Sequence, residues 1–435
     1  MTIKINVNTL SEDFLKGRRE IATKLRTTNP KHPGYKHVRF MLDTFSIKTK
    51  HGTHLCIVYD VLREPLDECQ LKFSSGVYAS EKIRRILPAL LKGLDYMHTE
   101  CHVVHTDLKS DNIMMGLGDD PNAVLDRFVQ HQQLHPTPRK APDGRDGHII
   151  YKSSSDLLLV GDDDKGQSIT DAMLASAKIT DIGLAEWGDQ PQTKAIQSNA
   201  FTCPEVLLGA GWSYPADMWN LGAMMWDLIE NDGLFDHIQT APGKYHANEH
   251  LALMICLLGP PPKKLLEKCL KTSNFFDYDT EKQEYVFRWP KLLDRYKDMM
   301  TFDHVVTHMQ GETKKSFIDF AKKMLAWDPE ERWTARQLLD HPWLGSKPGS
   351  VNCTCQNYEE ASRTISRATS NDTDLDKRVS QSSNSAYSDA FSFTGSNGIE
   401  SPRQGISRAS TGLMNVDVLK HNLPNLGVTP PTPSR

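Results

Sequence analysis

One long segment, from Ser80 to about residue 100, has apolar residues at helical spacing. Charged residues occupy the other side of the segment, and the apolar stripe is Ile83, Ile86, Leu87, Leu90, Leu91, Leu94 and Met97. Such a stripe is typical of an amphipathic helix that packs on a core. Pro88 lies inside the pattern, so we expect a kink or a local irregularity at that position.

Short β-like runs lie on the N-terminal side of this helix. Residues 2–7 form one run, and residues 55–59 form another whose nearly continuous apolar character suits a buried strand. Residues 11–25, between the two runs, are charged and helical in pattern. The sequence therefore predicts a part made of strands and one helix ahead of the long amphipathic helix.

The pattern changes twice on the C-terminal side of the long helix. Residues 116–176 are rich in Asp, Gly, Pro and Ser, and we expect them to be loops. Residues 203–345 show mostly helical patterns, and the last of these helices begins with a capping box formed by Thr334 and Gln337. Residues 346–435 are full of Ser, Thr, Asn and Gly with few aromatic residues, which predicts a disordered tail.

Composition narrows the classes of function. Hydrophobic residues make up 38% of the 435 residues, which fits a folded body joined to a disordered part, and the net charge of −4 gives no reason to expect a nucleic-acid partner. The start of the chain is not patterned as a signal peptide, and no apolar run is long enough for a membrane span. The eight cysteines include one C-x-C pair, Cys353 and Cys355, without a second pair at zinc spacing, so we expect reduced thiols and no zinc site.

The strongest chemical signal is residues 105–112, which read H-T-D-L-K-S-D-N. Phosphoryl transfer needs a carboxylate to accept the proton of the attacking hydroxyl, a cation near the γ-phosphate and a metal ligand close by. Asp107, Lys109 and Asn112 supply these three groups on one short loop. The segment resembles the catalytic loop of protein kinases.

Three further motifs follow in the order found in that family. Residues 178–183, K-I-T-D-I-G, resemble the D-F-G segment, in which Asp181 would hold Mg²⁺. Residues 203–205, C-P-E, resemble A-P-E and are followed by D-M-W-N-L-G from Asp217; residues 327–332, W-D-P-E-E-R, come last. Four motifs in the right order over about 230 residues are very rarely a coincidence.

The sequence most resembles the SR-protein kinases, in particular fungal members, over residues 1–345. The features that carry the resemblance are Thr106 in place of the usual Arg, a long insert before Asp181, and the segments W-S-Y-P-A-D at 212–217 and L-L-G-P-P-P at 257–262. The resemblance implies an α+β, two-lobed protein-kinase fold. It implies a partial N-lobe at 1–62 that begins at the third strand, and a helical C-lobe at 63–345 with the insert 116–176.

The resemblance also implies an ATP- and Mg²⁺-dependent serine/threonine kinase that phosphorylates Ser in Arg/Ser-rich proteins, as in mRNA splicing. Carried over residue by residue, it assigns catalytic roles to Asp107 and Lys109, and Mg²⁺ binding to Asn112 and Asp181. The expected ATP-binding residues are Lys4, Glu20, Tyr59, Asp60, Val61 and Leu62. The expected structural charges are Asp217, which would anchor the catalytic loop, and Glu205, which would pair with Arg332.

The N-terminal end matches the family only in part. Residues 1–4, M-T-I-K, fit the strand that carries the ATP-contacting lysine, and Glu20 fits its helical partner sixteen residues later. No G-x-G-x-x-G motif occurs anywhere in the sequence. We therefore expect the fold to begin at its third strand, without the glycine-rich loop that covers the ATP phosphates.

This departure leaves three interpretations open: an active kinase without the loop, a catalytically impaired scaffold, or a natural start farther upstream. Thr106 replaces the Arg that usually clamps an activation-loop phosphate, so we expect activity to be independent of phosphorylation there. The expected acidic groove is weak, because residues 246–249 contain one acid. We expect protein substrates, a monomer, no nucleic-acid or membrane partner, and a location in the cytoplasm and nucleus.

Overall fold

The structure is a computed structural model that describes residues 1–6, 12–50, 52–71, 73, 75–140, 150–151, 170–189, 192–236 and 245–345. The predicted disordered tail, 346–435, lies outside the described residues, as does most of the insert between residues 140 and 170. Among the described residues, no helix is both long and apolar enough to cross a membrane.

The N-terminal part is an antiparallel sheet with one helix. Its elements are β1 (Thr2–Ile5), α1 (Glu12–Thr27), β2 (Asp43–Thr49) and β3 (Gly52–Tyr59). β3 lies between β1 and β2, and the register places Lys4 opposite Ile57. Cys56 and Val58 of β3 are buried, as the apolar run at 55–59 predicts. The helix predicted at 11–25 is confirmed as α1.

The C-terminal part is mainly helical. Its helices are α2 (Leu66–Gln70), α3 (Ser80–Asp95), α4 (Pro121–Leu134), α5 (Asp171–Ala175), α6 (Pro204–Leu208), α7 (Pro215–Glu230), α8 (Ala247–Leu258), α9 (Lys263–Lys268), α10 (Thr272–Phe275), α11 (Pro290–Tyr296), α12 (Phe302–Val305), α13 (Gly311–Lys322), α14 (Ala335–Leu339) and α15 (Pro342–Gly345). Its strand pairs are β4 (Val103–Val104) with β9 (Glu186–Trp187), β5 (Ile113–Met114) with β8 (Lys178–Ile179), β6 (Arg139–Lys140) with β7 (Ile150–Tyr151), and β10 (Phe276–Asp279) with β11 (Glu284–Phe287).

The amphipathic helix is confirmed as α3. Every residue of the predicted apolar stripe is at most 1% exposed. The helix runs through Pro88 and ends at Asp95, where a π-helical turn, Tyr96–Glu100, continues it. Its packing against the core on both sides of Pro88 compensates for the backbone donor that proline lacks.

The expectation of loops throughout 116–176 is wrong for the helices α4 and α5 and for the strand pair of β6 and β7. Asp120 caps α4 by accepting a hydrogen bond from the backbone N–H of Ala123 at 3.0 Å, and Pro121 occupies the first helical position. An Asp-Pro start is a recognised helix signal, but the surrounding Gly and Asp residues concealed it. The predicted capping box of Thr334 and Gln337 is present at the start of α14.

Candidate active site

Two short strand pairs bring the chemistry-bearing segments together. Residues 105–112 connect β4 to β5, and β5 pairs with β8, which ends two residues before Asp181. The backbone N–H of Thr180 donates to the carbonyl of Asn112 at 2.9 Å, and the Thr180 hydroxyl donates to the same carbonyl at 3.0 Å. The segments of Asp107 and Asp181 therefore lie side by side, although they are more than seventy residues apart in sequence.

Asp107 is the centre of a small polar cluster. The side-chain amide of Asn112 donates to the Asp107 carbonyl at 2.8 Å and to its Oδ2 at 3.1 Å. The Nζ atom of Lys109 lies 3.6 Å from the same Oδ2. The structure thus brings together the carboxylate, the cation and the amide that the sequence singles out.

The surroundings of Asp107 favour a proton acceptor. Burial raises the pKa of this carboxyl; Lys109 and His105 lower it, Asp181 raises it further, and the net shift is upward from its ordinary value. A raised pKa makes an ionised carboxylate a better base at neutral pH.

Asp181 has the opposite balance of effects. Burial raises its pKa, but the charge and hydrogen bond of Lys4, together with His105 and the backbone N–H of Gly183, hold the pKa below its ordinary value. Lys4 Nζ lies 2.9 Å from Asp181 Oδ1. Asp181 has a left-handed backbone conformation, with φ at 54°, which is uncommon outside glycine and is often found at functional sites.

The predicted ion pair between Lys4 and Glu20 is not formed in the structure. Lys4 contacts Asp181 instead, while Glu20 lies on the exposed side of α1. The physical reason is the helical phase of Glu20, because the neighbouring Ile21 and Ala22 face the core at 1% and 3% exposure. The role of Glu20 in ATP binding stays a prediction without support from the geometry.

Asp217 holds the backbone of the catalytic loop. Its Oδ2 accepts the N–H of His105 at 2.7 Å, and its Oδ1 accepts the N–H of Thr106 at 2.8 Å. The His98 ring also bonds Oδ2, at 2.8 Å. Thr106 has a φ of 71°, an unfavourable value for a β-branched residue, so these bonds maintain a strained turn.

Glu205 and Arg332 form a fully buried pair. Two parallel bonds of 2.7 Å join Arg332 Nη1 and Nη2 to the two carboxylate oxygens, and both side chains are 0% exposed. The remaining donors of Arg332 bond the carbonyls of Ala326 and Pro215 at 3.0 Å. A buried ion pair is tolerated when its hydrogen bonds are satisfied in this way.

The predicted adenine-binding segment, residues 59–62, follows β3. Tyr59 is half-buried, and burial, with the charge of Asp181, raises its pKa to about 12 although Arg39 lowers it. Asp60 is exposed, Val61 is half-buried and Leu62 is buried. The placement fits a connection between the two parts of the fold, and adenine binding stays a prediction.

Motif reasoning missed Arg39. Its guanidinium donates to the Asp60 carbonyl at 2.6 Å and lies 4.8 Å from the centre of the Tyr59 ring. Its backbone N–H donates to the Ile179 carbonyl at 2.9 Å. Arg39 therefore connects the predicted adenine-binding segment to the strand before Asp181, and no local sequence pattern announces this contact.

The residues present fit a magnesium ion. Mg²⁺ prefers oxygen ligands and usually takes one or two carboxylates from the protein. Asp181 offers a carboxylate, and Asn112 offers an amide oxygen that no hydrogen bond within the described residues uses. No cluster of three or more His, Cys, Asp or Glu side chains in those same residues could hold a metal, so a separate structural metal site is not found there.

Comparison with protein families gives a match to the protein kinase domain over residues 32–124 and 162–344. Lys4 and Glu20 precede the matched residues. The match includes Asp107, Asn112 and Asp181, whose contacts are described above.

Several characterised proteins are similar to the chain. A serine/threonine protein kinase of Aspergillus fumigatus is 32% identical over 326 residues, which is 75% of this chain and 73% of the relative. The serine/threonine-protein kinase SRPK of Physarum polycephalum is 29% identical and covers 71% of each chain. The protein kinase dsk1 of Schizosaccharomyces pombe is 25% identical and covers 74% of this chain and 72% of the relative.

Among solved structures, the crystal structure of a kinase domain aligns with a TM-score of 0.55 at 22% identity. The alignment covers 79% of this chain and 86% of that one. At this identity the likeness concerns the fold, and it agrees with the two-lobed architecture expected from the sequence.

Proposed function

Because the chain belongs to the protein kinase family and is related to the SRPK and dsk1 kinases, we propose that it transfers the γ-phosphoryl group of ATP to serine in Arg/Ser-rich proteins. The observation that carries this proposal is the cluster of Asp107, Lys109 and Asn112 next to Asp181. The kinase class rests on family membership, and the preference for Arg/Ser-rich substrates rests on resemblance.

The roles of the residues follow from their contacts. Asp107 accepts the proton of the serine hydroxyl while the serine oxygen attacks the γ-phosphorus. The bond between the γ-phosphorus and the oxygen of the β-phosphate breaks, and ADP leaves. Lys109, held 3.6 Å from Asp107, steadies the negative charge of the transferred group. By resemblance to protein kinases, Lys4 would contact the α- and β-phosphates. Asn112 and Asp181 would hold Mg²⁺, which would supply neutralisation of the phosphate charge.

The buried position of Glu249 limits the charge available to bind arginine side chains. This residue is the single acid of segment 246–249, and it is 6% exposed with its Oε1 3.8 Å from Arg295. We therefore place the recognition of basic substrates on other parts of the surface. A location in cytoplasm and nucleus is part of the same proposal.

A direct assay tests both levels of the proposal. Purified protein is incubated with labelled Mg·ATP and either an Arg/Ser-repeat peptide or a generic basic protein, beside Asp181→Asn. Transfer that favours the peptide and disappears in the variant supports the proposal. Transfer without a preference removes the substrate assignment, and no transfer from a well-folded sample favours the non-catalytic scaffold.

A further inference from the structure

Helix α1 presents one buried face to the rest of the protein. Ile21 and Leu25 are 1% and 0% exposed, and Ala22 is also buried. Successive residues of a helix are about 100° apart, so Arg18, three to four residues before this group, lies on the same face. Arg18 is thus the charged residue that α1 directs toward the interior.

Arg18 binds the segment that follows Asp181. Its Nη2 lies 2.7 Å from Glu186 Oε1, and its Nη1 donates to the Gly183 carbonyl at 3.3 Å. Nη1 also donates to the Ala185 carbonyl. The side chains of Arg18 and Glu186 are 20% and 18% exposed, so the contacts are shielded from solvent. A planar guanidinium suits such a multidentate contact.

The same segment is held from the other side by the catalytic loop. The Thr106 hydroxyl donates to the Leu184 carbonyl at 2.9 Å, and Val104 of β4 pairs with Glu186 of β9. Residues 183–186 therefore lie between α1 and the catalytic loop. These contacts hold the backbone that begins two residues after Asp181.

Glu20 cannot contact residues 183–186 in the way Arg18 does while α1 is packed as observed. It is two residues from Arg18, about 200° around the helix. It lines a groove together with Thr23 and Trp187. Turning Glu20 toward Lys4 would carry Ile21 and Leu25 out of the core.

We propose that Arg18 is a positioning residue through which α1 fixes the metal-binding segment that begins at Asp181. The proposal deepens the proposed kinase function and rests on it for its catalytic consequence. Arg18 does not touch the reacting atoms; it acts by holding the backbone at Gly183 and Ala185 and the Glu186 carboxylate. No element of the known sequence motifs assigns it this role.

The test compares Arg18→Ala with Arg19→Ala, a matched control that removes the neighbouring exposed arginine. Arg18→Ala is expected to lower kcat by roughly 10- to 100-fold, as misplacement of catalytic groups does, with an unchanged KM for the peptide. Arg19→Ala keeps the wild-type kcat. Arg18→Lys retains the positive charge but not the planar guanidinium with its several donors, so it should give an intermediate loss of kcat. It replaces Arg18→Ala in the test if that variant does not fold.

Hydrogen exchange gives a second readout that does not depend on activity. Amides of residues 183–187 are expected to exchange faster in Arg18→Ala than in wild type or Arg19→Ala. If the wild type transfers no phosphate, the proposed function fails, while this measurement still decides about Arg18. Unchanged exchange in Arg18→Ala overturns the proposal, as does an unchanged or higher kcat in that variant.

Discussion

The buried pair of Glu205 and Arg332 gives a prediction of stability whose size can be worked out. Replacing Glu205 with alanine leaves the guanidinium charge of Arg332 in the core without its counter-ion. Arg332 would retain the carbonyls of Ala326 and Pro215, which bond the donors without neutralising the charge. Breaking a buried pair by removing one partner costs about 3–5 kcal/mol.

The predicted loss of stability depends on the burial of the ion pair more than on the distance between its charged atoms. The chain contains an exposed ion pair that serves as a control. Lys315 and Glu312 are also 2.7 Å apart, but their side chains are 75% and 77% exposed. An exposed pair of this kind contributes little to stability, because water screens the two charges. Glu205→Ala should therefore destabilise the protein several times more than Glu312→Ala at the same ion-pair distance.

Urea unfolding and thermal melting measure the difference. Since a loss of 1 kcal/mol lowers the Tm of a domain of 150–250 residues by about 2–4 °C, Glu205→Ala should melt on the order of 10 °C lower than wild type. Glu312→Ala should remain within about 2 °C on the same scale. The double variant Glu205→Leu/Arg332→Met should recover much of the loss, because apolar groups can replace a buried pair.

Two results would refute this reasoning. Equal losses in Glu205→Ala and Glu312→Ala would show that burial does not set the cost. A double variant that is no more stable than Glu205→Ala would show that the unpaired charge is not the source of the loss.

The other predictions concern catalysis. Asp107 must be ionised to accept a proton, so kcat/KM should fall as the pH drops through the pKa of this carboxyl, which burial raises and Lys109 lowers. Lys109→Met removes the lowering effect and should move this acid-side fall of kcat/KM to higher pH. pH–rate profiles of both proteins measure the position of the fall, and an unchanged position contradicts the prediction. The Thr106 hydroxyl and Arg18 hold residues 183–186 without a phosphate, so phosphatase treatment should leave the rate of phosphoryl transfer unchanged. A large loss of that rate contradicts this prediction.

The sequence was most informative where a residue's type and its neighbours determine its surroundings. The apolar stripe of α3 predicts burial directly, because helical periodicity places all its members on one face. The roles expected for Asp217 and for the pair Glu205–Arg332 come from the resemblance to protein kinases, and the structure places these side chains in the corresponding contacts. Such contacts join residues more than 100 positions apart, which motif spacing alone could not locate in space.

The partner of Lys4 was not predictable from spacing alone. Glu20 stands at the expected distance along the chain, but Ile21 and Leu25 set the phase of α1 and leave Glu20 outside. A helical projection of α1 gives a signal for this, since Arg18 shares the face of the apolar residues. Arg39 gives no such signal, because its contacts with Asp60 and Ile179 exist only in the folded chain.

The central claim is that Asp107 and Asp181 form the centre of an active phosphoryl-transfer site. The most direct test is transfer from labelled Mg·ATP to an Arg/Ser-repeat peptide by the wild type, by Asp107→Asn and by Asp181→Asn, with each variant checked for folding. If both aspartates act there, the wild type incorporates label on serine and both variants lose this incorporation. Transfer that persists in a folded Asp107→Asn or Asp181→Asn, or no transfer by the folded wild type, would show that these residues do not form an active site.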